Sequence, residues 1–408
     1  MKRGLRLFLA ICAGLCGIVA ACAPSTPAST PAVKSSPAAG APTAAAPAGS
    51  PAGTVSGEPV RVALNTEITG AGALTGDLGK KAADIAVEKI NREGGVGGRP
   101  IELILEDAQS TNQGALAALN KAAGEDRAFA MVGPVKSTQI LAIEPRIREL
   151  EIPSFVGGTN PTFTQRGNPW LFRLRPTDAV AGPAAAKFLM EDLKLGKIGI
   201  LHDSDAFGTT GADLVEKTVQ DAGKEIVRRE SYKTGDKDFT AQLLSLRQAG
   251  AEALVLYGTN SEDDSVILRQ IKEQGFQVPV IGSPSYGQTI VRDLASEAVD
   301  GVYAVIDYFP GRTPESNAYT EAWRARYNTE PDGLSAWNWD AMHIIRDVYP
   351  KANGDKQKFR DEVLKLNGYK GAVGTISFDA NGDGLHSVDV VQYKGADLQF
   401  IRTVSPDQ

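Results

Sequence analysis

Cysteine and histidine are scarce in this chain, and each scarcity removes a class of chemistry. Its 408 residues carry three cysteines, Cys12, Cys16 and Cys22, all near the start. A fold built from the remaining chain has no intramolecular disulfide available and must rest on the size of its core. The three histidines, His202, His343 and His386, stand in unlike contexts. No zinc-ligand spacing and no Ser–His–acid arrangement emerges from so few. A long basic run is also missing, and the net charge is −6, so there is no electrostatic reason to expect nucleic acid. These gaps speak against an enzyme and against a metal or other cofactor.

What is present begins with a leader. Lys2, Arg3 and Arg6 precede the apolar run LFLAICAGLCGIVAA, which is too short and poorly flanked for a membrane span. The run closes on Val19-Ala20-Ala21-Cys22, which resembles a bacterial lipobox. Residues 1–21 are therefore expected to be a lipoprotein signal peptide, with Cys22 the lipidation site. Residues 22–57 follow as an Ala/Pro/Ser/Thr tether whose one charge is Lys34. With almost nothing to bury, the tether should be disordered and reach roughly 30–35 Å from the membrane.

Beyond Glu58 the texture alternates between strands and helices. VRVAL, IELILE, AFAMVG and IPSFVG form one strand series, and KIGILHD, EIVRRESY, EALVLYG, VPVIGS and GVYAVID form another. Two β-α-β series predict an α/β protein with two parallel-sheet lobes and right-handed crossovers. From Gly371 the tail reads as short strands with turns at DANGDG and YKGAD.

The segments TGAGALTGDLG, INREGGVGGRPIELILED, VGPVKSTQILA, FVGGTNPTFT and LHDSDAFGTTG occur in that order. In order and spacing they resemble the leucine/isoleucine/valine-binding family of ABC-importer solute receptors. That resemblance implies a type I periplasmic binding protein, with two Rossmann-like lobes joined by three hinge crossings. Lobe 1 would hold residues 58–176 and 307–378, and lobe 2 residues 177–306 and 379–408. The crossings are expected at 175–178, 303–307 and 377–379. It further implies a monomeric, lipid-anchored extracytoplasmic receptor that delivers a small molecule to an ABC permease. The same fold also serves ligand sensors that signal without transport. The lack of an appended signalling domain after Val404 favours transport.

Candidate binding residues follow from the residues and the resemblance together. The loop TEITGAGALTGDLG is a poor copy of a dinucleotide fingerprint, since its third glycine arrives one residue late. A plain packing turn is a second reading of it. The resemblance gives it a ligand-facing Thr75 with Leu74 beside it. Ser137 opens a helix, where it either caps the helix or holds a ligand carboxylate. Gly157 and Gly158 are expected to let ligand approach the backbone, with Thr159 adding a hydroxyl. In the second lobe Phe207, Asn260 and Ser285 match cleft-facing positions.

GSPSYG, at residues 282–287, has no acid where amino-acid receptors of the family hold the α-ammonium, and Pro284 or a neighbouring serine stands there. Asp205 or Asp263 would have to substitute. Otherwise the ligand is a carboxylate, an amide or a urea-like compound, and leucine, isoleucine and valine bind weakly. DANGDG opens like an EF-hand loop but places Val390 twelfth, where calcium needs a glutamate, so it reads as a β-turn. SPSYG lacks the first glycine of a nucleophile elbow. Trp337 and Trp339 are expected to pack a helix in the first lobe.

Overall fold

The computed structural model describes residues 55–384 and 387–405. Cys22, the leader and His386 lie outside the described residues. The chain is already engaged at Ser56, whose N–H donates to Gly98 O at 2.8 Å.

The first lobe opens with β1 (Val60–Thr66), α1 (Ala73–Arg92), β2 (Ile101–Asp107), α2 (Asn112–Gly124) and β3 (Ala130–Val132). It continues through α3 (Ser137–Leu150), β4 (Ser154–Val156), α4 (Thr162–Gln165) and β5 (Leu171–Arg173). These strands form a parallel sheet in the order β2-β1-β3-β4-β5. Alternate residues of β1 serve opposite faces, as the two-residue strand period requires. Val62 and Leu64 face one apolar layer, while Ala63 faces the layer of Leu119, Met131 and Ile140. A sheet buried on both faces explains why VRVAL reads as a nearly continuous apolar run.

The second lobe runs α5 (Asp178–Lys187), β6 (Lys197–Asp203), α6 (Ala206–Asp221), β7 (Glu225–Tyr232) and α7 (Thr240–Gln248). Next come β8 (Ala253–Tyr257), α8 (Ser261–Glu273), β9 (Val280–Gly282), α9 (Thr289–Ala295) and β10 (Tyr303–Ile306). The chain then returns to the first lobe for α10 (Pro314–Tyr327), α11 (Ala336–Ala352), α12 (Lys356–Leu364) and the hairpin β11 (Tyr369–Gly371) and β12 (Gly374–Ile376). Trp323, Trp337, Trp339 and Ile345 of these helices fill the layer that Val62 and Leu64 face. Finally β13 (Val388–Lys394) and β14 (Asp397–Val404) add antiparallel strands to one edge of the second sheet, ordered β14-β13-β10-β9-β8-β6-β7.

The chain thus passes between the sheets after β5, after β10 and after β12. Strand β5, from WLFRLR, is absent from the strand series read in the sequence. Only three residues long, it gains its identity by pairing with β4. The turn at Asp379 is held by its own side chain, whose Oδ1 accepts from Asn381 N at 2.8 Å and Asp383 N at 2.9 Å.

Candidate functional site: a cavity between the lobes

In parallel α/β sheets, ligands gather outside the carboxyl ends of the strands. Here those ends meet across the two lobes around a cavity. From the first lobe come Thr75 of α1, Val135, Lys136 and Ser137 after β3, and Thr159 after β4. The second lobe supplies Phe207 after β6, Thr259 after β8, and Pro284, Ser285 and Gln288 after β9. Arg175, in the first passage between the lobes, and Leu334 complete the wall.

Hydrogen bonds between the lobes hold the two walls together. Asn160 Nδ2 donates to Thr210 Oγ1 at 2.8 Å and to Ala206 O at 3.0 Å. Thr289 N donates to Asp332 Oδ2 at 3.0 Å on another side of the cleft. Thr75 Oγ1 lies 3.4 Å from Gln288 Oε1, directly across it.

The opening loop takes its glycines from a buried carboxylate. A Cβ on Gly72 would sit 1.8 Å from Glu67 Oε2, and one on Gly76 would sit 1.8 Å from Glu67 O. Glu67 is fully buried, accepts from Gln139 Nε2 at 3.1 Å and pairs with Lys136 Nζ at 3.3 Å. A carboxylate thus occupies the start of α1, where a nucleotide phosphate would need to lie. The dinucleotide reading fails on that charge. Thr75, a turn further on, reaches the cavity, but Leu74 is 46% exposed and does not border it.

Ser137 is the first residue of α3 rather than its cap, a position held by Lys136. Its Oγ accepts from Thr159 N at 3.3 Å and from Asn160 N at 3.2 Å. With both lone pairs engaged, the hydroxyl has only its proton to offer, which makes it a donor. Gly157 and Gly158 serve packing. A Cβ on Gly157 would meet the Trp337 ring at 2.4 Å, and one on Gly158 would meet Ile140 Cδ1 at 2.4 Å. The expectation that they open backbone to ligand gives way to that crowding, and neither borders the cavity. Trp337 and Trp339 are buried in the first lobe as expected, and Trp337 also borders a smaller adjoining cavity.

Phe207 borders the cavity and packs on Tyr257, with ring centroids 4.9 Å apart. Asn260 is buried ahead of α8 and does not reach the wall. The two expected ammonium partners also point elsewhere. Asp205 caps α6 by accepting from Gly208 N at 2.8 Å. Asp263, fully buried, accepts from Gly235 N at 2.6 Å and pairs with Lys237 Nζ at 3.1 Å. Asp205 is taken up by the free backbone donors of the helix it caps, and Asp263 by the amide and lysine of the loop ahead of α7, so neither is left for the cleft.

Sequence reading missed the charged wall. Arg175 is buried and donates from Nε to Asp307 Oδ2 at 2.5 Å and from Nη1 to Gly157 O at 2.9 Å. Its signal was present: an arginine closing the apolar run WLFRLR needs a buried partner. Asp264 was missed as well. It is fully buried, and Ser285 Oγ lies 2.6 Å from its Oδ2. Burial pushes its carboxyl well above the usual carboxylate range, although the Ser285 hydrogen bond favours the charged form. Asp178, which accepts from Tyr257 Oη at 2.8 Å, is likewise pushed up by burial, to about 6.

A two-lobed α/β molecule with a walled cavity at the strand ends defines a solute receptor of the type I periplasmic binding class. The chain belongs to the periplasmic binding protein family, which matches residues 59–397. It is a binding protein and not an enzyme. It is 29% identical over 341 residues to a leucine-, isoleucine-, valine-, threonine- and alanine-binding protein of Pseudomonas aeruginosa, covering 83% of this chain and 91% of that relative. A leucine-binding protein of Thermotoga maritima superposes with a TM-score of 0.80 at 26% identity, covering 85% of this chain and 99% of that one. The solute-binding protein of an ABC transporter from R. palustris, solved with benzoate, superposes with a TM-score of 0.79 at 19% identity. That match covers 85% of this chain and 97% of the R. palustris protein.

Proposed function

We propose that this chain is the extracytoplasmic solute-binding lipoprotein of an ABC importer, capturing a small polar organic solute by closure of its lobes. The observation that carries the reading is the cavity walled from both lobes and bridged by hydrogen bonds between them. Only the closed form completes the contacts of a solute in such a site. Moving an equilibrium from 1:99 open to 99:1 closed takes about 5.5 kcal/mol of differential affinity. A solute touching Ser137 and Thr159 on one side and Phe207 and Ser285 on the other can supply it. Amino acids, carboxylates, amides and urea-like compounds form the range to test, and the amino acids and the benzoate named for relatives fall within it.

Ser137→Ala and Thr159→Ala are each expected to weaken solute binding by about 1–3 kcal/mol, the range for a hydrogen bond to a charged group. Calorimetric titration beside thermal melting separates this from a stability effect. Melting points that fall while affinity holds would remove both residues from the site.

The anchor rests on the Val19-Ala20-Ala21-Cys22 box, with no cysteine further along the chain. Cys22 is expected to carry the lipid, and Cys22→Ser to abolish it. Mass spectrometry of the mature N-terminus decides, and a wild-type chain starting elsewhere without an acyl group rejects the anchor.

A further inference from the structure

We propose that the cavity takes a small organic carboxylate with an apolar body and no ammonium group. The inference rests on the cleft being the solute site and names the class of solute.

Both cations on the cavity wall have their counter-ions behind them. Lys136 is paired with Glu67 at 3.3 Å, and Arg175 with Asp307 at 2.5 Å, yet neither Glu67 nor Asp307 borders the cavity. Each ion pair therefore borders the cavity through its cationic residue and not through its carboxylate. Ser137 adds a hydroxyl proton, because its oxygen already accepts two main-chain N–H groups. Thr259 Oγ1 is buried on the opposite wall with no partner among the described residues. Val135, Phe207, Pro284 and Leu334 make up the apolar remainder.

An α-ammonium finds no matching charge here. No carboxylate borders this cavity among the described residues. Asp264 stands closest in role, but it is fully buried behind Ser285, and burial favours its neutral form. The adjoining smaller cavity does border Asp332, which is occupied by the N–H and hydroxyl of Thr289 at 3.0 and 3.2 Å. A cation drawn from water into a closed cleft without a partner is strongly disfavoured. An anion in the same place meets two cations and a hydroxyl donor.

The test begins with a thermal-shift screen of the full chain against anions, zwitterions, neutral amides and cations. Calorimetry then compares matched sets: 4-methylpentanoate, leucine and 4-methylpentanamide, and 3-phenylpropanoate, phenylalanine and 3-phenylpropanamide. The expected result is that the ligands found are carboxylates without an ammonium, binding at least tenfold more tightly than their amino-acid and amide counterparts. Pro284→Glu, which adds a carboxylate to the wall, should reverse that preference. A zwitterion, amide or cation as the tightest ligand overturns the inference and leaves the solute-receptor reading standing. Loss of amino-acid binding in Asp332→Asn would then locate the missing charge. If no solute of any charge binds, both readings fall together.

Discussion

Replacing Arg173 with methionine should lower the free energy of unfolding by about 3–5 kcal/mol, the cost of leaving a buried charge without its partner. Arg173 is fully buried at the end of β5, and its guanidinium lies 2.5 Å from Asp383 in the turn after β12. The same group donates to Thr159 O at 3.0 Å, Asn160 O at 2.7 Å and Thr164 Oγ1 at 3.1 Å. It therefore joins two of the three passages between the lobes to the loop that carries Thr159. Methionine fills much of the volume but satisfies none of these acceptors. Burial already pushes the Asp383 carboxyl up, and Arg173 is the charge that opposes this. Adding Asp383→Asn to Arg173→Met should recover part of the loss by removing the stranded charge. Urea unfolding of the two variants measures both effects. A loss below about 1 kcal/mol for the single variant would mean that the pair contributes little beyond what packing supplies.

Arg175→Met should weaken solute binding by about 2–5 kcal/mol, the range for truncating one partner of a buried, hydrogen-bonded charge pair. Two routes lead to that loss, and a second variant separates them. Arg175 lies in the first passage between the lobes and Asp307 in the second, so the pair ties those passages together. Arg175 also borders the cavity, which Asp307 does not. Asp307→Asn removes the charge pairing and leaves the cation on the wall. If Arg175 acts through the ligand, Asp307→Asn retains most of the affinity while Arg175→Met loses it. If it acts by bracing the passages, the two variants fall together. Calorimetry on any solute found by screening reads the difference, and unchanged affinity in Arg175→Met would take the residue out of the site altogether.

Chain-local patterns carried the reading of the fold a long way. Continuous apolar runs such as VRVAL and EALVLYG form strands buried on both faces, because helices cover each sheet on two sides. Helix ends were legible for a similar reason: in KTVQDAG and KEQGF a glycine with positive φ stops the helix just beyond its last turn. The cavity residues Thr75, Ser137, Thr159, Phe207 and Ser285 were reachable through the family resemblance, and they stand at the strand ends where a parallel sheet gathers ligand.

What the chain could not declare locally are the partners of its buried charges. Asp205, Asp263 and Asp264 sit within similar short acidic stretches, yet one caps a helix, one binds a glycine amide and a lysine, and one lies behind Ser285. Glu67 reads as a loop acid and becomes the seat against which Gly72 and Gly76 pack. Arg173 and Arg175, two residues apart, turn to different counter-ions on different passages of the chain. The sequence by itself determined the class of fold and the two strand series, since these follow from short-range periodicity and turn chemistry, while the family resemblance of its motifs pointed to the loops that face the cleft. Only the tertiary structure decided the sign of the charge presented to the cavity. That sign depends on which side of each cation its carboxylate lies, and the carboxylates of Glu67 and Asp307 reach Lys136 and Arg175 across 69 and 132 residues of chain.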